Sequence, residues 1–186
     1  LHGNPDIPIY TASISPNGLR CSAEVADGVF PMMMDPENFD SVYLPFLQEG
    51  FDKAGGGKSL DNFAVVPGVT VIINDDLEKV RMPVKGQMSL YIGGMGAKGQ
   101  NYHTKLMARM RFEAEAHQIQ DLFLEGRREE AVAAVPDRFA DEISLVGTPD
   151  RIRDRLHAFE ESPVTMLNVA PRSGDHLRQV AELILA

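Results

Sequence analysis

The sequence predicts an α/β protein in which parallel strands alternate with helices. Four short apolar runs are each followed by a helical start signal and an apolar stripe at helical spacing. The run 64–73 is β-branched and nearly all apolar, which is typical of a strand covered on both faces. Alternating strands and helices form right-handed parallel βα units. We therefore expect a single domain over residues 1–186, with a parallel sheet and helices outside it.

The first unit is the strand Ile7–Ser13 followed by a helix over Pro16–Ala26. Ser15 is placed to cap that helix, and Pro16 occupies its first position. The strand, the tight turn and the helix start therefore meet at a point with free backbone N–H groups and the positive end of the helix dipole. Such a junction favours a phosphate or a carboxylate, although an ordinary strand–helix joint is the alternative.

Three further strands are predicted at Gly28–Met34, Ala64–Ile73 and Thr165–Val169. Pro67 and Gly68 interrupt the second of these, so we expect a bulge or bend there. The following helices are predicted at 36–53, from Asp75-Asp76 to Gly93, from Thr148, and after the last strand. A long helical excursion runs from Gln100 to about Ile143, with breaks at Gly126 and Pro136.

Charge and composition exclude several classes of function. A net charge of −9 opposes binding to nucleic acid and to anionic membrane surfaces. The single cysteine, Cys21, leaves no internal disulfide and no metal–thiolate set, and the five histidines lack metal-ligand spacing, so we expect no metal. No apolar run approaches the roughly 20 residues of a membrane span. We expect a cytoplasmic protein that contacts no membrane.

Two stretches carry residues that suit a ligand but also have ordinary structural explanations. Gly94–Gly99 matches G-x-G-x-x-G, but a dinucleotide fingerprint needs a strand directly before it, and here a helical segment precedes. We interpret this stretch as a loop that carries Lys98 and either covers a ligand or joins two helices. Met32–Met34, at a strand end, either fill the core or form a soft wall for a flat aromatic ligand.

Taken together, four segments resemble the C-terminal half of the bacterial luciferase-like family of flavin and deazaflavin oxidoreductases. These segments are Ile7–Leu19, Ala26–Pro31, Tyr91–Gly99 and Asp141–Thr148. The run Gly93–Gly99 with Asn101-Tyr102 resembles the branch that uses coenzyme F420, a deazaflavin. The resemblance implies a (β/α)8 TIM barrel, of which this chain would hold strands 5–8 with a helical insertion before the last strand.

The resemblance also implies hydride transfer between coenzyme F420 and an unknown organic substrate. The family's turn after the fifth strand contacts the phosphate-bearing tail of the cofactor. Here the corresponding residues are Ala12, Ser13, Ile14, Ser15, Asn17 and Gly18. The family often has glycine at position 15 and lysine at position 17, so backbone N–H groups and the two hydroxyls would carry more of the binding here. Residues expected at the substrate or in a lid are Met34, Gly96 and Lys98.

Two alternatives stay open at this point. FMN also presents a tricyclic ring and a phosphate, which would make the reaction a monooxygenation. The other alternative is a non-catalytic half-barrel that binds a phosphorylated ligand or a partner subunit. The strand–helix units need partners that this sequence lacks, so we expect a part of a longer protein whose remaining half holds the catalytic residues. We expect a small-molecule substrate, and a homodimer is compatible with the sequence.

Overall fold

The computed structural model describes residues 6–185, and its six strands there all pair in parallel. These strands are β1 (Tyr10–Ala12), β2 (Gly28–Phe30), β3 (Ala64–Val65), β4 (Gly68–Ile73), β5 (Ser144–Gly147) and β6 (Asn168–Val169). β2 lies between β1 and β3, and β4 lies between β5 and β6. The α/β class and the parallel pairing predicted from the sequence are confirmed.

The predicted strand 64–73 is interrupted at Val66 and Pro67, as its proline indicates. Val66 still donates its N–H to the Val29 carbonyl at 2.9 Å, on the β2 side. The Pro67 carbonyl accepts from the Asn168 N–H at 2.9 Å, on the β6 side. The interrupted segment therefore joins the two three-stranded sheets through the backbone of one chain segment.

Several strands are shorter than the apolar runs that predict them. β1 begins only at Tyr10, and Ile7 and Ile9 are exposed. β2 ends at Phe30, and Met33 then adopts a left-handed conformation with φ 59°. This turn lets Asp35 cap a 3-10 turn that follows, so the chain leaves the sheet four residues earlier than predicted.

Ten α-helices lie within the described range. They are α1 (Pro16–Val25), α2 (Phe39–Val42), α3 (Leu44–Ala54), α4 (Leu77–Gly94), α5 (Tyr102–Arg109), α6 (Glu113–Leu124), α7 (Arg128–Ala133), α8 (Asp137–Glu142), α9 (Pro149–Glu160) and α10 (Gly174–Leu185). Side-chain caps at Ser15, Asp76 and Thr148 start α1, α4 and α9, as predicted. The helix predicted over 36–53 is divided instead, because Pro45 has to lie in the first turn of a helix.

The helical excursion consists of α5 to α8, and β5 follows it directly. Gly126, with φ 83°, separates α6 from α7, and Pro136 separates α7 from α8, as the sequence predicts. The break between α5 and α6, where Arg111 has φ 73°, was not predicted. β5 is a strand that the sequence did not predict. Its four residues are all buried and pair with the second half of β4, from Thr70 opposite Ser144 to Ile73 opposite Gly147.

Two hydrophobic clusters lie on opposite faces of β4, because successive side chains of a strand point to opposite sides. Val69 and Val71 pack in the cluster that α9 and α10 complete. Ile72 packs against the larger cluster, to which α4 contributes Val80 and Val84. α4 and the excursion after it therefore cover one face of the sheet, while α9 and α10 cover the other.

A buried ion pair connects these two layers. Asp35, which is 1 % exposed, accepts a hydrogen bond from Arg155 of α9 at 2.6 Å. Arg155 also donates to the Glu142 carbonyl at the end of α8 and to the Glu37 carboxylate, each at 2.6 Å. One guanidinium thus ties the segment after β2 to the end of the excursion and to α9.

α1 and α3 pack so closely that Gly50 of α3 cannot become alanine without a shift. A Cβ built at Gly50 would lie 2.3 Å from the Arg20 carbonyl oxygen and 2.6 Å from Ala23 Cβ. We expect Gly50→Ala to lower the free energy of unfolding by about 1–3 kcal/mol, because backbone must move. Gly86 of α4 has open space around its Cβ position, so Gly86→Ala should instead raise it by about 0.5–1 kcal/mol. Urea unfolding of both variants measures the difference, and equal effects would contradict the close packing.

Candidate functional site

The turn between β1 and α1 is an open helix start at which a backbone N–H group has no intrahelical partner. Ser15 has extended backbone angles, and its Oγ accepts the N–H of Gly18 at 3.1 Å. Pro16 has no N–H, and the N–H of Asn17 lies in the first turn, where helices leave donors without an intrahelical partner. The Asn17 side chain faces away to accept from Arg20 at 3.0 Å. An anion at this turn would therefore meet backbone donors and the positive end of the helix dipole.

Gly18 leaves room for Ser13 to fold back against the start of α1. A Cβ at position 18 would lie 1.9 Å from Ser13 Oγ and 2.9 Å from Ser15 Oγ. A side chain at this position would therefore displace the Ser13 hydroxyl. The absence of a side chain at Gly18 therefore brings the two serines predicted as cofactor contacts to one place.

A cavity of about 310 Å³ borders this turn at the carboxyl ends of β1 and β2. The turn contributes Ala12, Ser13, Ile14 and Ser15, and the end of β2 contributes Phe30 and Met32. The opposite wall is the start of α5, with Tyr102 and His103. The carboxyl ends of parallel strands are where α/β proteins bind their ligands. The helical excursion therefore completes the cavity rather than burying the turn.

Phe30, Tyr102 and His103 line this cavity although the sequence did not assign them to a site, and His103 is the titratable group among them that burial perturbs. Its backbone N–H donates to the Asn101 side chain at 2.8 Å, and its ring packs against Tyr91 at 5.0 Å between centroids. Burial lowers the pKa of His103, and its Nδ1 lies 3.3 Å from the Asn101 amide oxygen. That oxygen can only accept, so a neutral ring carries its proton on Nδ1 and leaves Nε2 as an acceptor. Asn101 caps α5, but no local pattern in the sequence indicates that this cap faces a turn almost 90 residues earlier.

A second cavity of about 210 Å³ adjoins the first, because Met32 lines both. Its walls include Met33, Gly68, Thr70 from the sheet and Gln87 from α4. Of the three methionines in this run, Met32 and Met33 face cavities. Met34, which was predicted at the substrate, is 1 % exposed and packs in the larger hydrophobic cluster.

The glycine-rich loop after α4 lies apart from the walls of both cavities. Lys98 is 70 % exposed and pairs with Asp121 of α6 at 2.5 Å. A Cβ at Gly96 would lie 2.9 Å from Asn101 Cα, so the loop packs closely onto the start of α5. Asn101 donates to the Tyr91 and Ile92 carbonyls at 2.8 Å, which fastens this loop to the end of α4. A lid role for Gly96 and Lys98 stays a prediction.

A larger cavity, about 600 Å³, lies between α4, α8, β5 and α9 and has a charged lining. Its arginines are already paired with carboxylates: Arg81 and Arg151 with Asp141, Arg138 with Glu142, and Arg155 with Asp35. Positive and negative groups are balanced there, so this cavity offers an anion no net attraction. The cavity beside the β1–α1 turn is the better candidate site, although it is smaller.

Two classes of site are not formed by the residues that the structure describes. Within residues 6–185, no three His, Cys, Asp or Glu side chains are grouped so that they could hold a metal ion. In the same range, every helix is too short or too polar to cross a bilayer. The site residues are therefore hydroxyls, backbone donors, an imidazole and thioethers.

The pKa of His103 makes the stability of the protein depend on pH in a predictable direction. The unfolded chain binds a proton to this imidazole at its ordinary pKa of about 6.5, whereas the folded chain binds it only at lower pH. The free energy of unfolding should therefore fall as the pH drops below about 6.5. His103→Gln should reduce that slope, and His117→Gln, at an exposed position, is the control for loss of an imidazole. Urea unfolding at pH 7 and pH 5 tests this, and identical slopes in all three proteins would contradict it.

Known proteins resemble this chain in sequence and in fold. A Mycobacterium tuberculosis protein, Rv3520c, whose name describes it as a coenzyme F420-dependent oxidoreductase, is 32% identical over 96% of this chain and 51% of its own length. The 5,10-methylenetetrahydromethanopterin reductase of Methanopyrus kandleri is 27% identical over 96% of this chain and 49% of its own. The solved structure of the coenzyme F420-dependent tetrahydromethanopterin reductase from that organism matches with a TM-score of 0.66 and 24% identity, over 96% of this chain and 49% of that one.

The chain thus spans about half the length of the curated relatives that it matches. Its parallel α/β fold is similar to that of an F420-dependent reductase with a known structure. The family model described as luciferase-like monooxygenase matches residues 2–166, which is most of the chain. The resemblance seen in the sequence is therefore confirmed, and this chain belongs to the luciferase-like monooxygenase family.

Proposed function

We propose that this chain is part of an F420-dependent oxidoreductase and holds the phosphate-bearing tail of the cofactor. The observation that carries this proposal is the cavity at the β1–α1 turn. It lies at the carboxyl ends of β1 and β2 and combines serine hydroxyls, helix N–H groups and an imidazole. Relatives that match nearly the whole chain are named as F420-dependent enzymes, which supports this cofactor over others.

In this proposal the chain forms strands 5–8 of a (β/α)8 barrel. Four segments follow one another in hydrogen-bonded order, as neighbouring barrel strands would: β1, β2, the interrupted segment 64–73 and β6. β1 and β6 are edge strands whose outer backbone groups have no strand beside them in residues 6–185. Both edges would be covered by the strands of the other barrel half. β5 would extend the sheet beside β4, as part of the helical insertion.

The residues present fit the two ends of such a cofactor. The Ser13 hydroxyl and the backbone N–H groups of Ser15 and Asn17 would hold the phosphate, while the Ser15 hydroxyl caps α1. Met32 and Met33 would form the adaptable wall against a flat ring, because thioether side chains pack well on aromatic faces. When bound, the deazaflavin ring would supply hydride transfer. The part of this chain is to orient the cofactor and to exclude water from it.

A monooxygenase that uses FMN is the second candidate, since the family model is described as luciferase-like monooxygenase. FMN ends in a phosphate that the same turn would hold, so the geometry of the turn does not separate the two cofactors. The substrate would be a small organic molecule. The loops that select it belong in part to the other half of the proposed barrel.

Cofactor preference is tested by titrating the chain with coenzyme F420 and with FMN in parallel, using the fluorescence of each. We expect the lower dissociation constant for coenzyme F420. Equal or tighter binding of FMN would instead favour the monooxygenase. Binding of inorganic phosphate without binding of either cofactor would favour a non-catalytic half-barrel.

Two serine variants test the assignment of the turn. Ser15→Gly should change the affinity for coenzyme F420 by less than about threefold, because glycine caps a helix almost as well as serine. Ser13→Leu should weaken it at least about tenfold, because its side chain enters the cavity and displaces the ligand. Thermal unfolding of both variants provides the control for folding. Unchanged affinity in Ser13→Leu would show that the ligand binds elsewhere.

A further inference from the structure

Arg109 differs from the other arginines of this chain in its surroundings. Eight arginines pair with carboxylates: Arg20, Arg81, Arg127, Arg138, Arg151, Arg153, Arg155 and Arg178. Four arginines within residues 6–185 form no ion pair, and three of them, Arg111, Arg128 and Arg172, are exposed. Arg109 is partly buried, so its charge lacks both a carboxylate partner and full hydration.

The guanidinium of Arg109 lies directly behind the candidate site. Arg109 is the last residue of α5, and its Nη2 donates to the Ile14 carbonyl at 2.8 Å. Its Cζ lies 5.7 Å from the centre of the Phe46 ring, which holds the side chain along α3. Ile14 belongs to the turn that lines the cavity, so this bond connects the excursion to the turn across 95 positions.

The charge of Arg109 is uncompensated within the described residues. Its Nε is buried without a hydrogen-bond acceptor. The neighbouring Tyr43 stays neutral, because burial raises the pKa of its hydroxyl. Partly buried cations in proteins are normally paired with an anion, since desolvation otherwise disfavours the charged form. Desolvation does lower the pKa of Arg109, although a guanidinium stays charged at any ordinary pH.

The bond to Ile14 also fixes the direction of a donor. The Ile14 carbonyl and the Ser15 N–H belong to one planar trans peptide, in which they point in opposite directions. Holding the carbonyl towards Arg109 therefore aims the Ser15 N–H away from it. An arginine at this position acts on an anion in the turn in two ways, through the orientation of the peptide and through its positive charge.

We propose that Arg109 is the positioning residue of the anion site, orienting the Ile14–Ser15 peptide and supplying the positive charge that favours a bound phosphate. This inference rests on the proposed function in so far as the phosphate is that of the cofactor tail. The first turn of α1, Pro16-Asn17-Gly18-Leu19, carries no basic residue. The cation comes from the helical excursion instead of from α1.

The experiment compares Arg109→Met and Arg109→Lys with the control Arg111→Met, which removes an equal charge from an exposed position two residues away. The ligands are coenzyme F420 and the same deazaflavin without its phosphate tail. Arg109→Met should weaken binding of coenzyme F420 at least about tenfold and of the phosphate-free ligand less than about twofold. Arg109→Lys should lose about threefold to tenfold for coenzyme F420 alone, because it keeps the charge but not the planar fork. Arg111→Met should bind both ligands as the unchanged chain does.

Equal weakening of both ligands in Arg109→Met would overturn the proposal, because a merely structural arginine would affect the ring and the tail alike. Unchanged affinity for coenzyme F420 would overturn it as well. If Arg109→Met does not fold, the same comparison of the two affinities in Arg109→Lys tests the proposal.

Failure of the proposed function has a different signature, namely that the unchanged chain binds neither deazaflavin. The anion site is then tested with inorganic phosphate, followed through the imidazole NMR signals of His103. A saturable shift that Arg109→Met abolishes supports the role of Arg109. A shift that the variant retains, or no saturable shift in the unchanged chain, overturns it.

Discussion

The absence of an N–H at Pro67 is the constraint on which the rest of this structure depends. A strand with a proline at its centre cannot keep one continuous ladder, and the segment 64–73 divides there into β3 and β4. β3 pairs with β2, whereas β4 pairs with β5 and β6. Every pairing in the described sheet except that of β1 with β2 involves this one segment. The second cavity adjoins this break, since Gly68 and Thr70 line it.

The candidate site is built from two distant parts of the chain. The β1–α1 turn supplies hydroxyls and helix N–H groups, and Gly18 allows the two serines to meet there. α5 supplies the opposite wall through His103 and a cation behind the turn through Arg109. A helix start alone attracts anions weakly, and many such starts hold none. Here a cavity and an uncompensated guanidinium lie at the same turn, which makes this junction different from an ordinary one.

Local signals in the sequence predicted the parts of the fold that short-range chemistry determines. Ser15 caps α1 and Pro67 interrupts its strand, and both can be recognised from a few neighbouring residues. β5 was not predicted because its four residues carry no periodicity, and only its pairing with β4 makes it a strand. Met33 shortens β2 through a left-handed backbone angle. The presence of a methionine does not predict such an angle. The turn Ala12–Ser15 could be identified as a candidate site from the sequence. The contribution of His103 and Arg109 to this site depends on tertiary packing over about 90 residues, which short-range patterns do not contain.

The ion pair of Asp35 with Arg155 has a consequence for the order in which the chain assembles. Its partners are 120 positions apart, so the loop that it closes is among the longest in the molecule and is entropically the most costly to form early. β1, β2 and β3 with α1 and α3 lie within residues 10–65, so the contacts among them close much shorter loops. From loop-closure entropy alone, we expect these contacts to form before the ion pair. The pairing of Asp35 with Arg155 would then be a late step, which joins the segment after β2 to α9.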